Sequence, residues 1–188
     1  MDFIEVYDNA VTPIDCQSII KYFEARKQSH KRGTIGPKGK LDRKKKDTWE
    51  LPDTKFSNMT SIEKALYQGI VYGTKEYMKK YPAIVGHLAS WNVENGFNLQ
   101  KYNPKCAYFV PHCEHSSITH GHRMLVWMIY LNTVTDGGGT KFTCYDREVN
   151  AVEGRLVIWP SGWTHTHHGV VSNTQSKYIA TGWYAFKE

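Results

Sequence analysis

Two groups of side chains in this sequence could together hold a metal ion. His112 and Glu114 are separated by one residue, and His165, His167 and His168 follow further along the chain. Residues i and i+2 of a strand face the same side, so His112 and Glu114 can reach one ion together. A distant histidine would complete a face of two histidines and one carboxylate. Such a face, with open coordination positions, is typical of non-heme Fe(II) centres.

The identity of the third ligand stays open at this level. His165 and His167 share one face of a strand, so alternation does not choose between them, whereas His168 would face outward. Cys113 stands between His112 and Glu114 and would point away from both in a strand. With nine histidines in the chain, one such pair can arise by chance. The interpretation therefore depends on the surrounding elements.

The elements that must position these residues change in character after Gly96. Before it, the pattern predicts a short strand at 3–7, a helix after the N-cap Thr12, a strand at 47–51 and a long amphipathic helix at 57–80. After it come short apolar runs bounded by turn residues, at 97–102, 106–112, 124–131, 140–145, 155–159, 165–171 and 177–186. This succession predicts a mostly β fold with flanking helices (α+β), in which a sandwich or barrel follows the helices.

Length and composition favour one folded domain. A chain of 188 residues with 40% apolar residues can bury its own core. We expect a single domain, 1–188, with 1–95 as helical support and 96–188 as the β core. The cysteines lack C-x-x-C spacing, no apolar run could span a bilayer, and the first residues do not resemble a signal peptide. We therefore expect free thiols, a cytoplasmic location and no membrane partner.

The net charge of +6 is concentrated in one segment. Ten basic residues lie between positions 26 and 46: Arg26, Lys27, Lys31, Arg32, Lys38, Lys40, Arg43, Lys44, Lys45 and Lys46. Glycines and a proline in the same stretch predict a basic mobile loop near 30–49. Such a run can be a solvated loop, or it can attract nucleic acid or another polyanion.

Several sequence blocks, taken in order, resemble a known family. They are QKYNP at 100–104, PHCE at 111–114, YLN at 130–132, GGGTKF at 137–142, GRLVIWP at 154–160, HHG at 167–169 and KYIATGW at 177–183. Together they resemble the 2-oxoglutarate- and Fe(II)-dependent oxygenases of the prolyl 4-hydroxylase type. The resemblance implies a double-stranded β-helix, which is a jelly-roll or cupin-like barrel, with the N-terminal helices packed on one sheet.

The resemblance also assigns site residues. It implies that His112, Glu114 and His167 bind the iron, because His167 has the family's spacing to a later basic residue, Lys177. Lys177 would anchor the distal carboxylate of 2-oxoglutarate. Further cosubstrate-binding residues would be Tyr130, Thr140, Tyr102 and Tyr108. The family usually has aspartate where this chain has Glu114, whose side chain is longer by one methylene.

The activity implied is hydroxylation of an unactivated C–H bond with O2, releasing succinate and CO2. A prolyl residue in a peptide or protein would be the substrate, ascorbate the reductant, and the basic segment a cover over the substrate. Two alternatives remain: a nucleic-acid dealkylase or hydroxylase of the same superfamily, and a non-catalytic cupin-like metal-binding module. Arg123 and Trp183 are expected to have packing or surface roles.

Overall fold

Strands dominate the computed structural model, which describes residues 1–36, 38–57 and 59–187. Its helices are α1 (Pro13–Glu24), α2 (Ser61–Lys80) and α3 (Ala83–Gly86). Its strands are β1 (Glu5–Tyr7), β2 (Lys31–Arg32), β3 (Trp49–Lys55), β4 (Trp91–Tyr102), β5 (Arg123–Tyr130), β6 (Thr140–Phe142), β7 (Arg147–Val149), β8 (Leu156–Pro160), β9 (His167–Gly169) and β10 (Lys177–Phe186).

The strands form two antiparallel sheets that face each other. The major sheet has the order β1-β8-β5-β10-β4-β3-β2, and the minor sheet has the order β7-β6-β9. The mostly β fold with flanking helices is confirmed, and it is consistent with a double-stranded β-helix. The described strands do not close into a barrel, so the two sheets form an open sandwich rather than the expected closed barrel. Because β1 and β3 belong to the major sheet, residues 1–95 supply strands as well as helices.

Side-chain alternation in β5 explains why that strand is apolar throughout. One set of its residues packs against α1 and α2 on the outer side of the major sheet: Leu125, Trp127 and Ile129. The other set packs against the minor sheet: Val126, Met128 and Tyr130. A strand buried on both faces needs apolar residues at every position, as its sequence predicted. The major sheet is therefore the central layer, between the helices and the minor sheet.

Both long helices begin at recognisable caps. The side chain of Thr12 accepts a hydrogen bond from the backbone N–H of Asp15, as expected for the cap of α1. The second helix begins at Ser61 rather than at 57, because Thr60 and Glu63 form a capping box in which the Thr60 N–H donates to Glu63 over 3.1 Å. None of the described helices combines the length and apolar character required to cross a membrane.

Gly73 sets how closely α2 approaches the major sheet. A Cβ atom at this position would lie 2.3 Å from the Leu156 side chain. An alanine in a helix is normally favourable, but here the clash outweighs that gain, and we expect Gly73→Ala to destabilise the protein by about 1–3 kcal/mol. The midpoint of chemical denaturation would measure the change. Gln68→Ala, on the exposed side of the same helix, is the control and should be close to neutral.

The basic segment folds as an edge hairpin rather than as an irregular loop. β2 pairs with β3, Ile35 bridges to Lys40, and Lys46 bridges to Tyr108. The Arg32 guanidinium lies 3.8 Å from the ring centre of Trp49, which begins β3. Two other expectations also change. The run 106–112 forms only isolated bridges, and β7 was not predicted because its three residues carry no apolar run.

Candidate active site

His112 and His167 face each other across an isolated antiparallel bridge. The N–H of each residue donates to the carbonyl of the other over 2.9 Å, and the ring centres are 4.4 Å apart. The Glu114 Oε1 atom lies 3.4 Å from His112 Nε2 and 3.8 Å from His167 Nε2. One ligand atom from each of the three residues falls within 4.8 Å of the others. Side chains distant in sequence thus converge at a point where one ion would fit.

The backbone fixes which nitrogen each histidine offers. His112 Nδ1 lies 3.2 Å from the Val110 carbonyl, and His167 Nδ1 lies 2.9 Å from the His165 carbonyl. Because carbonyls accept hydrogen bonds, each Nδ1 carries the proton and each Nε2 keeps its lone pair for a metal. The Tyr108 ring stacks on His112, with centroids 3.6 Å apart, and restricts the rotation of that imidazole.

His165 lies outside this cluster. Its Nε2 is 2.7 Å from the Asp2 carbonyl and its Nδ1 is 3.0 Å from the Thr164 hydroxyl, so both ring nitrogens already have partners. Strand alternation predicted that His165 and His167 share one face. Residues 163–165 form a 3-10 turn, however, so the alternation rule does not apply to His165. His168 is half-buried at the edge of the cavity.

The second oxygen of Glu114 is held by two residues of the major sheet. Trp183 Nε1 donates to Glu114 Oε2 over 3.0 Å, and an Arg123 nitrogen lies 3.7 Å from the same oxygen. The Arg123 guanidinium also covers the Trp183 ring at 3.5 Å. Burial alone would raise the pKa of Glu114, but its polar surroundings, formed by the imidazoles of His112 and His167 and the Arg123 guanidinium, hold that pKa well below its usual range. Arg123 and Trp183 thus contact a candidate ligand, a role that their sequence context did not indicate.

A buried ammonium group lies in the same cavity. The cavity occupies about 280 Å³ between the sheets and is lined by the three clustered residues and Lys177. Lys177 begins β10 opposite Tyr102 of β4, is 5% exposed, and has its Nζ 4.9 Å from the Tyr102 ring centre. Among the described residues no carboxylate lies within ion-pair distance of Lys177. Burial lowers the pKa of Lys177 to about 8. An unpaired buried cation is unfavourable, so this end of the cavity suits an anionic ligand.

Residues 97–185 match the family model of the 2OG-Fe(II) oxygenase superfamily. The predicted resemblance to the 2-oxoglutarate- and Fe(II)-dependent oxygenases is therefore confirmed over this stretch. The stretch contains the three clustered residues and Lys177, and the match supports an oxygenase that uses Fe(II), 2-oxoglutarate and O2. The donor set fits Fe(II), because it offers two imidazole nitrogens and one carboxylate. Burial lowers the pKa of His167 to about 3, so that ring is neutral and can bind a metal.

Solved structures of prolyl hydroxylases share the fold. A Trichoplax adhaerens prolyl hydroxylase in complex with a hypoxia inducible factor peptide fragment has a TM-score of 0.77 at 12% identity, covering 98% of this chain and 84% of that one. A Pseudomonas putida prolyl-4-hydroxylase gives 0.72 at 14%, covering 100% and 95%. The viral collagen prolyl hydroxylase of Paramecium Bursaria Chlorella virus-1, in its 2OG complex, gives 0.68 at 14%, covering 99% and 97%. No curated protein matches the chain in sequence.

Thr140 and Tyr130 form a hydroxyl pair. Thr140 lines the cavity, and its Oγ1 lies 2.7 Å from the Tyr130 hydroxyl, which also donates to the Val149 carbonyl over 3.2 Å. Tyr130 is fully buried and is not part of the cavity wall. The Tyr130 hydroxyl therefore contacts Thr140, which lines the cavity, whereas the resemblance suggested a direct contact with the cosubstrate.

A buried polar chain connects the Lys177 end of the cavity to the basic segment. The Tyr102 hydroxyl donates to Gln100 Oε1 over 2.8 Å, and Gln100 Nε2 donates to Glu50 Oε1 over 3.1 Å. Lys46 Nζ completes the chain at 2.6 Å from the same Glu50 oxygen. Sequence patterns did not reveal this chain, because the pairing of β3 with β4 places Glu50 beside Gln100.

Trp183→Phe tests whether the indole N–H positions Glu114. Phenylalanine keeps a ring beneath Arg123 but removes the hydrogen bond to Glu114 Oε2. Loss of an outer partner of a metal ligand typically weakens metal affinity by about 10- to 100-fold, and we expect a loss in that range. Anaerobic calorimetric titration with Fe(II) would measure it. Trp163→Phe is the matched control, because Trp163 is 76% exposed; equal losses in the two variants would contradict the assignment.

Proposed function

We propose that this oxygenase hydroxylates a prolyl residue in a peptide or protein, consuming 2-oxoglutarate and O2 and releasing succinate and CO2. His112, Glu114 and His167 would hold the Fe(II). Lys177 would bind the distal carboxylate of 2-oxoglutarate, with Thr140, Tyr102 and Tyr108 contributing cavity wall and Tyr130 supporting Thr140. The observation that carries the proposal is the buried, unpaired ammonium in the same cavity as a complete set of metal ligands.

The protein's part in the reaction is to bind and orient. Fe(II) at the cluster would supply the activation of O2, driven by decarboxylation of 2-oxoglutarate. The Val110 and His165 carbonyls accept the Nδ1 protons of His112 and His167, which leaves both Nε2 atoms available to a metal. Trp183 donates to Oε2 of Glu114, so Oε1 is the carboxylate oxygen that faces the two histidines. Lys177 would offset the charge of the distal carboxylate, and residues 34–36 form part of the cavity wall.

Support for a prolyl substrate comes from fold neighbours. All three solved structures described above are prolyl hydroxylases, and one of them carries a peptide fragment. The superfamily match favours a catalytic domain over a cupin-like module that only binds metal. A nucleic-acid substrate is the other candidate, and the same assay tests it directly.

The deciding experiment measures succinate released from 2-oxoglutarate with Fe(II), ascorbate and a panel of proline-containing peptides. Stimulation of succinate release by a peptide, together with a mass increase of one oxygen located on proline, is the expected result. Stimulation by alkylated or unmodified oligonucleotides, with none by any peptide, would replace this function with the dealkylase alternative. Metal retention without any turnover of 2-oxoglutarate would support the binding module.

The pKa of Lys177 predicts how cosubstrate binding depends on pH. The ammonium is charged below about pH 8 and loses its proton above it. An anion binds the charged form and raises the pKa of the lysine, so the affinity for 2-oxoglutarate should fall by up to about tenfold per pH unit as the pH rises from the pKa of the free protein towards the higher pKa of the liganded protein. Anaerobic binding measurements across the neutral to alkaline range would record this. Lys177→Arg should flatten the profile, because arginine keeps its charge; the same slope in both proteins would contradict the assignment.

A further inference from the structure

The basic segment borders the candidate active site. Residues 34–36 and Lys46 line the cavity. Part of the segment's charge serves to hold it in place: Arg32 lies 2.6 Å and Arg43 2.9 Å from the two carboxylate oxygens of Asp47. The N–H of Asp47 in turn donates to the Ala107 carbonyl over 3.0 Å. These paired residues fix the hairpin against the sheet beside the cavity.

All four lysines from position 38 to position 45 are exposed. They form no ion pair with any residue in the described part of the chain, and we call them the basic rim: Lys38, Lys40, Lys44 and Lys45. Two of them belong to the hairpin whose residues 34–36 line the cavity. The other two directly precede Lys46, another cavity-lining residue. Four like charges close together on one edge are mutually unfavourable unless a partner or solvent ions compensate them.

The cavity wall carries little negative charge that would oppose an anionic partner. Of its described carboxylates, Glu50 is paired with Lys46 over 2.6 Å and Glu114 belongs to the metal-ligand cluster. Arg123 lies on the same wall, 3.7 Å from Glu114 and 3.9 Å from Glu94. An acidic chain entering over the basic rim would therefore meet exposed lysines at the edge, and the described carboxylates of the cavity wall already face cationic or metal-binding partners.

We propose that the basic rim binds acidic side chains that flank the target residue, so that the preferred substrate is an acidic peptide segment. This inference rests on the proposed peptide hydroxylase function and specifies its substrate class. Residues 31–46 contain no aromatic residue, and Trp49 is covered by Arg32. Single-stranded nucleic acids are usually gripped by aromatic rings that stack on bases, so the rim fits an acidic polypeptide better than a nucleic acid.

The test uses one quadruple variant and one matched control. Lys38→Gln, Lys40→Gln, Lys44→Gln and Lys45→Gln together remove the rim charges. The control removes the same number of charges from exposed lysines of α1 and α2, on the opposite side of the major sheet: Lys21→Gln, Lys64→Gln, Lys75→Gln and Lys79→Gln. The substrates are two short peptides with a central proline, one flanked by aspartates and the other by asparagines.

We expect the rim variant to raise KM for the aspartate peptide by about tenfold with little change in kcat, because each exposed ion pair contributes modestly and four act together. KM for the asparagine peptide should change by less than about twofold, as should both values in the control variant. The preference of the unmodified protein for the aspartate peptide should also weaken as salt is raised, since screening acts on exposed charges.

Peptide binding is also measured by fluorescence anisotropy, which does not require turnover. Equal affinity of the unmodified protein for the two peptides, or equal KM changes in the rim and control variants, would overturn the inference while leaving peptide hydroxylation intact. Tighter, rim-dependent binding of a single-stranded oligonucleotide would overturn it in favour of a nucleic acid. Rim-dependent binding of the aspartate peptide without proline hydroxylation would instead contradict the proposed function and retain the acidic partner.

Discussion

Replacing His112 with alanine is expected to lower the turnover of 2-oxoglutarate by at least about a hundredfold. The change removes one of three candidate ligands and also opens the space against which Tyr108 stacks. Two remaining ligands cannot hold Fe(II) in the open three-ligand face that this chemistry uses. Succinate release and anaerobic Fe(II) titration, both made on the same preparation, would measure the effect.

The control for this prediction is His165, which resembles a ligand in sequence but lies outside the cluster. His165→Gln retains a group that can bond the Asp2 carbonyl and does not touch the cluster. We expect Fe(II) binding to be unchanged within about twofold in this variant, with any loss confined to stability. The reverse pattern, with metal binding lost at position 165 and kept at position 112, would show that the cluster is not the metal site.

Lys177→Met is expected to have the second largest effect. It should weaken the binding of 2-oxoglutarate and stabilise the ligand-free protein. Without the ammonium the distal carboxylate has no cation, so KM for 2-oxoglutarate should rise by about a hundredfold while Fe(II) affinity is retained. Because Lys177 is buried without an anionic partner among the described residues, methionine should stabilise the ligand-free protein by about 1–3 kcal/mol.

Thermal unfolding with and without 2-oxoglutarate would test both parts of that prediction. The unmodified protein should be stabilised by the cosubstrate, and the methionine variant should start higher but gain much less on its addition. A methionine variant that is less stable and binds 2-oxoglutarate normally would mean that Lys177 has a structural role only.

Local patterns were sufficient to predict the elements that bury a periodic apolar face. Helix α1 with its Thr12 cap and the fully apolar strand β5 followed directly from periodicity. Family resemblance, rather than periodicity, singled out His167 and Lys177. The H-x-E pair drew attention to residue 112 because two of the candidate ligands are only two positions apart in sequence, whereas the third reaches them only through tertiary pairing.

Interactions between distant segments could not be predicted in this way. The hydrogen bond of Trp183 to Glu114 depends on how β10 passes behind the 110–114 segment, and an aromatic residue in a strand ordinarily indicates packing. Likewise, the basic segment had the composition of a loop. Its pairing with β3, and the division of its charges into paired and exposed ones, depend on Asp47 and Glu50, which follow it in the chain.

The reciprocal backbone bridge between residues 112 and 167 has a consequence for how the protein handles its metal. Because two of the candidate ligands are joined through main-chain hydrogen bonds, the coordinating geometry is created by folding rather than by the ion. We therefore expect a molecule without a metal to keep these two side chains in position, ready to bind an ion without refolding.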